Sequence, residues 1–147
     1  MIKPKAEKGS AIISLRQALV ATKGDSFLIG ETLDYDEPIE IGQGIYWVGF
    51  ADTDAGLHCN PYLIVDGQEA VLLDSGSRNE FSTVMLKIMQ AGVAPHQIRR
   101  LIYQHYDPDL CANIPHMEAI IHSKELRIIS HYENNPFINY YSSTSPK

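Results

Sequence analysis

The chain has 147 residues, an apolar fraction of 44%, a charged fraction of 20% and a formal net charge of −6. These values describe one ordinary globular domain, or part of one, and exclude a disordered chain. The acidic balance argues against partnership with nucleic acid or an anionic membrane surface, which needs clustered Lys and Arg.

Lys3, Lys5 and Lys8 make a small basic start that reads as solvated. The apolar stretch behind them is interrupted by Arg16 and Gln17 and has no clean cleavage site, so it does not read as a signal peptide. No apolar run reaches the roughly 18 residues that a membrane span needs. Cys59 and Cys111 are too few and too far apart for a disulfide framework, and a reduced, cytoplasmic setting is the expectation.

In chain order, residues 1–9 read as a lead. Ile12, Leu15, Leu19 and Val20 have helical spacing behind Ser10, although the β-branched pair Ile12 and Ile13 leaves a strand open. Residues 23–38, with Gly24, Gly30 and Pro38, read as loop with at most one short strand, so residues 1–38 form an N-terminal extension. From residue 39 order sharpens. Gly44–Phe50 (GIYWVGF) reads as one strand. Pro61–Val65 and Ala70–Asp74 flank an Asp66-Gly67 turn signal, and the three segments suggest an antiparallel meander covered on both faces.

Ser77 and Glu80 have capping-box spacing, and Phe81, Val84, Met85, Ile88 and Met89 follow as a helical stripe that Gly92 and Pro95 end. Arg99–Gln104 reads as a strand, about Leu110–His116 as a short helix and Ala119–His122 as a short strand. Ser123–Tyr132 reads as a helix with Leu126 and Ile129 inward, and the tail from Glu133 shows no periodicity. A hairpin sheet followed by crossover helices implies a mixed sheet in an α/β domain of α+β type.

One segment carries chemistry, Gln104–Cys111 (QHYDPDLC). His105, Asp107 and Asp109 recur at i, i+2, i+4, so in an extended chain all three would share one side. Pro108 keeps Asp107 out of the helical region. One imidazole and two carboxylates suit iron, manganese or zinc better than a thiophilic metal. The spacing alone leaves a second reading open, because Asp-Pro-Asp is also a common turn or cap sequence. Asp74, at the end of LLDSG, likewise reads first as a turn or cap former. Cys111 reads as a small buried apolar residue, with a helix-lowered thiol pKa as the open alternative. His58, His96, His116, His122 and His131 show no ligand spacing.

Taken together, IYWVGF, CNPYLIVDGQEAVLLDSGS and LIYQHYDPDLC resemble the metallo-β-lactamase superfamily over residues 39–131. Within it the likeness is to the flavodiiron and stand-alone oxygen-binding di-iron proteins, where a His-x-Asp-Pro-Asp motif occurs. The resemblance implies an αββα sandwich of which residues 39–147 supply the N-terminal half. It implies His105 and Asp107 as ligands of a first metal, Asp109 as ligand of a second, and Asp74 as the residue that braces the motif loop. Leu110 stands where the family's usual second-metal His would be. That departure favours a di-iron module that binds or reduces dioxygen, with two irons per complete domain and an external electron donor. The alternatives are a zinc hydrolase, or an inactive half-domain used for assembly that holds no metal. Two further His and a bridging Asp would come from a C-terminal half, so a homo-oligomer or a partner half-domain is expected to complete the site.

Overall fold

A computed structural model describes residues 33–52 and 57–143. The helix expected over residues 10–21 and the basic start lie outside them. The chain folds into a six-stranded mixed sheet with helices on one face, plus a separate two-stranded ribbon. In chain order the strands are β1 (Ile39–Gly42), β2 (Ile45–Trp47), β3 (Phe50–Asp52), β4 (Leu57–Cys59), β5 (Tyr62–Asp66), β6 (Glu69–Leu73), β7 (Ile98–Tyr103) and β8 (Arg127–Ser130). The helices are α1 (Phe81–Gln90), α2 (Pro108–Cys111), α3 (Ile114–Ile121) and α4 (Asn135–Tyr141).

The large sheet runs β1-β2-β5-β6-β7-β8. Strands β1, β2, β5 and β6 form the antiparallel part. β7 and β8 then add in parallel, which requires a crossover for each. Pairing of β5 with β6 continues to Asp66↔Glu69, and Gly67 takes φ 57° to close the two-residue turn between them. The α/β class and the mixed sheet agree with the sequence reading.

Several local expectations fail, each for a physical reason. The GIYWVGF segment is two strands, because the chain bends at Val48–Gly49. A Cβ on Gly49 would collide with the Cys59 carbonyl oxygen, so the glycine permits a backbone approach that breaks the strand. Lys87 of α1 supports the bend from below, its Nζ donating to the carbonyls of Gly49 and Tyr35 and lying 4.5 Å from the Trp47 ring centroid. Secondly, the Ser77–Glu80 capping box does not form. Glu80 is the N-cap of α1 without a side-chain cap bond, and its N–H bonds the Ser77 carbonyl instead. The buried stripe is also rotated: Val84, Met85 and Ile88 are inside as expected, but Lys87 is buried and Met89 exposed.

Thirdly, Ala119–His122 is not a strand. α3 carries Ile114, Met117 and Ile121 at i, i+3, i+7, all buried, and His122 ends it with φ 44°. Its β-branched end mimics a strand, but packing decides. Finally, Ser123–Tyr132 contains β8 rather than a helix. Leu126 and Ile128 alternate inward, and β8 pairs with β7 through Leu101↔Ile128 and Tyr103↔Ser130. The aperiodic tail holds α4, anchored by fully buried Ile138.

The core lies on one sheet face. Leu63, Leu72, Leu101 and Ile128 stand in one cross-strand row and are fully buried with Val84, Ile88, Ile114, Met117 and Ile138 from the helices. The other face carries Ile45, Ile64 and Val71 in one row and Tyr62, Leu73, Ile102 and Ile129 in another, all only half-buried. The expected covering of both faces is therefore met on one face among the described residues.

Candidate metal centre

β6 and β7 are adjacent and parallel, and both deliver their chain at the same edge of the sheet. There Asp74 follows β6 and Gln104–Asp109 follows β7, at the carboxyl ends of strands where α/β sheets place ligand sites. Asp74 is buried, with its backbone at φ 54°, a left-handed conformation that Asp tolerates better than most residues. Its N–H donates to the Ile102 carbonyl at 2.8 Å. Its carboxylate accepts the Gln104 backbone N–H and the Gln104 Nε2, both at 3.1 Å. Burial pushes its pKa up from the usual carboxylate value, against the opposing pull of the two Gln104 bonds and of His105.

The carbonyls of the loop are held one after another. Asn134 Nδ2 donates to Gln104 O at 3.2 Å, and Cys111 Sγ to Tyr106 O at 3.1 Å. Asp107 O accepts the N–H groups of Leu110 and Cys111. Cys59 Sγ donates to Asp109 O at 2.6 Å, and the Ser75 N–H to Leu110 O at 2.9 Å. Beneath them, Tyr103 Oη donates to Ser75 Oγ at 3.0 Å and Asn113 Nδ2 to Ser75 O at 2.9 Å. The motif side chains project into solvent from a backbone that is satisfied from below.

The three candidate ligands do not line up as an extended chain would place them. Asp107 is extended, with ψ 139°, and it is the N-cap of α2. Pro108 then starts the helix at a position where its missing N–H costs nothing, so the alternation stops before Asp109. His105 and Asp107 are brought together, with Nδ1 3.2 Å from Oδ2, while Asp109 sits in the first turn of α2. Among the described residues no group of three or more His, Cys, Asp and Glu side chains is gathered for one metal ion. The donors therefore fit iron or zinc in kind and fall short of a closed coordination shell in number.

Cys111 stands at the end of α2, not at its start, and the helix does not activate it. Burial, with the charges of Asp107 and Asp74, pushes its thiol up to about 11. Cys59 is pushed up to about 11 as well, by burial first and then by Asp109 and Asp74. Both cysteines are free and buried. The sequence reading missed Cys59, Ser75, Asn134 and Phe137 as neighbours of the loop. Only Ser75, adjacent to Asp74, carried a local signal.

A family model described as ODP family beta lactamase matches residues 57–147. No curated protein matches. Solved structures with the same fold include the metallo-beta-lactamase SMB-1 in complex with mercaptoacetic acid (TM-score 0.61, 17% identity), which covers 78% of this chain and 42% of its own. A metallo-beta-lactamase of Cronobacter sakazakii carrying a mutated HARLDQ motif gives TM-score 0.59 at 21% identity, over 68% of this chain and 36% of that one. MEM-A1, a subclass B3 enzyme from a soil metagenome library, gives 0.59 at 18%, over 70% and 37%. The chain thus spans well under half the length of these structures, and at such identities they show the fold. The family match extends over more than half of the chain, from β4 to the C-terminus, and on it the protein belongs to the ODP family of beta lactamases.

Proposed function

We propose that this chain is the motif-bearing half of a dinuclear metal domain of the di-iron, oxygen-binding kind. His105 and Asp107 would hold the first iron, Asp109 the second, and the remaining ligands would come from a second half-domain or a second copy. The observation that carries this reading is Leu110, directly after Asp109, an aliphatic side chain that cannot bind metal where a hydrolase would have a His. Bound iron would supply open coordination positions for dioxygen, and reduction would draw on an external electron donor. The chain's own part is to hold the imidazole and carboxylates at the strand ends: Asp74 fixes Gln104, directly before His105, and Asp107 stands beside the imidazole.

A zinc hydrolase is the second reading, favoured by the three structural neighbours named above, which are metallo-beta-lactamases. In it, bound water would be the nucleophile. An inactive half-domain used for assembly is the third, favoured by the absence of a gathered ligand trio among the described residues.

Metal analysis after loading with iron or zinc, on the domain completed by its second half and on its His105→Ala variant, separates the three, and the chain by itself should hold metal weakly or not at all. The leading reading expects iron retention that His105→Ala abolishes, together with an absorption change on exposure to oxygen. Zinc retention with hydrolysis and no response to oxygen would replace it with the second reading, and retention of neither metal by the completed domain would replace it with the third. Leu110→His should leave hydrolysis absent and alter the response to oxygen if the leading reading holds, and should raise zinc binding and hydrolysis if the second does.

A further inference from the structure

His105 is exposed, yet it is not alone on its outer side. Its ring stacks on Tyr106, with centroids 4.6 Å apart and planes 19° apart. Tyr106 in turn stacks on Phe137 of α4, at 4.1 Å and 19°. Phe137 is 49% exposed and Tyr106 37%, so neither ring is explained by core burial. What anchors the column is α4, whose next residue, Ile138, is fully buried. The same segment reaches the motif a second time through Asn134, which donates to the Gln104 carbonyl. His105 also meets Asp107, with Nδ1 3.2 Å from Oδ2.

We propose that Phe137, acting through Tyr106, is a positioning residue for His105, so that the C-terminal helix sets where the candidate metal-binding imidazole points. The inference rests on the reading of His105 as a metal ligand. An exposed imidazole on a loop has several rotamers, and binding a metal requires that all but one be given up. A near-parallel ring column removes much of that freedom beforehand, and stacked aromatic pairs are worth enough to change an affinity about 3- to 10-fold. Tyr106 and Phe137 contribute no metal donor in this role.

The test uses the full chain with Phe137→Leu, which removes the ring but keeps an apolar side chain, and Phe137→Tyr, which restores a ring. In the unliganded chain the His105 ring signals, identified with His105→Ala, are followed by aromatic carbon–proton NMR. Phe137→Leu should shift them and raise ring mobility. Phe137→Tyr should return them, and His116, which packs on Phe81, should not move in either. With cobalt(II) as the probe, Phe137→Leu should bind about 3- to 10-fold more weakly and Phe137→Tyr like the parent. Unchanged His105 signals in Phe137→Leu overturn the positioning proposal, whether or not cobalt binds. Equal loss in the Leu and Tyr variants also overturns it, because the ring would then not be what acts. Cobalt binding that His105→Ala leaves intact overturns the metal-ligand reading instead, and the NMR result still judges the stack.

Discussion

Asp74 joins the two loops of the candidate centre, and its chemistry can be separated by substitution. Asp74→Ala removes both bonds to Gln104 and places a residue ill-suited to φ 54° there. A loss of about 2–3 kcal/mol is expected, from unpaired polar groups and backbone strain together. Asp74→Asn keeps the shape, an acceptor and a residue that tolerates the conformation, so it should cost much less in urea unfolding at neutral pH. The two proteins should also differ in pH dependence. The folded carboxyl holds its proton more tightly than an unfolded one at 3.8. The contribution of Asp74 is therefore most favourable below 3.8 and is lost as pH rises through the folded pKa. The stability of Asp74→Asn relative to the parent should increase over that rise, and an unchanged difference from acid to neutral pH would show that burial does not govern this group. The thiols provide a second residue-scale expectation. With Cys59 and Cys111 pushed up to about 11, neither should react with a thiol reagent at about pH 8 in the folded chain, and both should react in urea.

At the scale of elements, what the sequence revealed depended on whether the signal was local. The Asp66-Gly67 turn, the stripe through Val84, Met85 and Ile88, and the strand through Arg99–Tyr103 are short-range patterns and were legible. β8 and the end of α3 were not, because their β-branched and helical residues are assigned by packing against β7 and the core. His105 and Asp107 were legible as a pair. Their relation to Asp109 turned on choosing between an extended run and the cap reading of Asp-Pro-Asp, and the cap reading holds because Asp107 is the N-cap of α2 and Pro108 opens it. The bend at Gly49 is a third case, an element boundary made by Lys87 from far along the sequence. Lys87→Met should leave the Gly49 and Tyr35 carbonyls without their partner and cost about 2–4 kcal/mol. Gly49→Ala should cost about 2–3 kcal/mol by forcing the β3–β4 ribbon away from the bend. Because both act at Gly49, the double variant should lose less than the sum of the two. Full additivity in urea melts would mean that lysine and bend are independent.

For the whole molecule, the sheet has two faces of unequal fate, and a single-residue step along β6 distinguishes them. Leu72 points into the helix-covered core and is fully buried, whereas Val71 points to the other face and is half-buried beside Ile64. Adjacent half-buried rows of Ile, Val, Leu and Tyr are more apolar surface than a soluble monomer ordinarily leaves open. Self-association through this face is expected, whether with a second copy or in place of a partner half-domain. Val71→Glu should weaken it, since the new carboxylate would lie in register with Arg100 and so be tolerated by the fold. Leu72→Glu, one position on, would bury an unpaired charge in the core and should abolish folding. Light scattering across a concentration series, with circular dichroism as the check on folding, reads both. The parent should associate as concentration rises, Val71→Glu should stay folded and smaller, and Leu72→Glu should lose its secondary structure. A parent that is monomeric at every concentration, or a Val71→Glu variant that unfolds as fully as Leu72→Glu, would mean that the chain itself closes the second face.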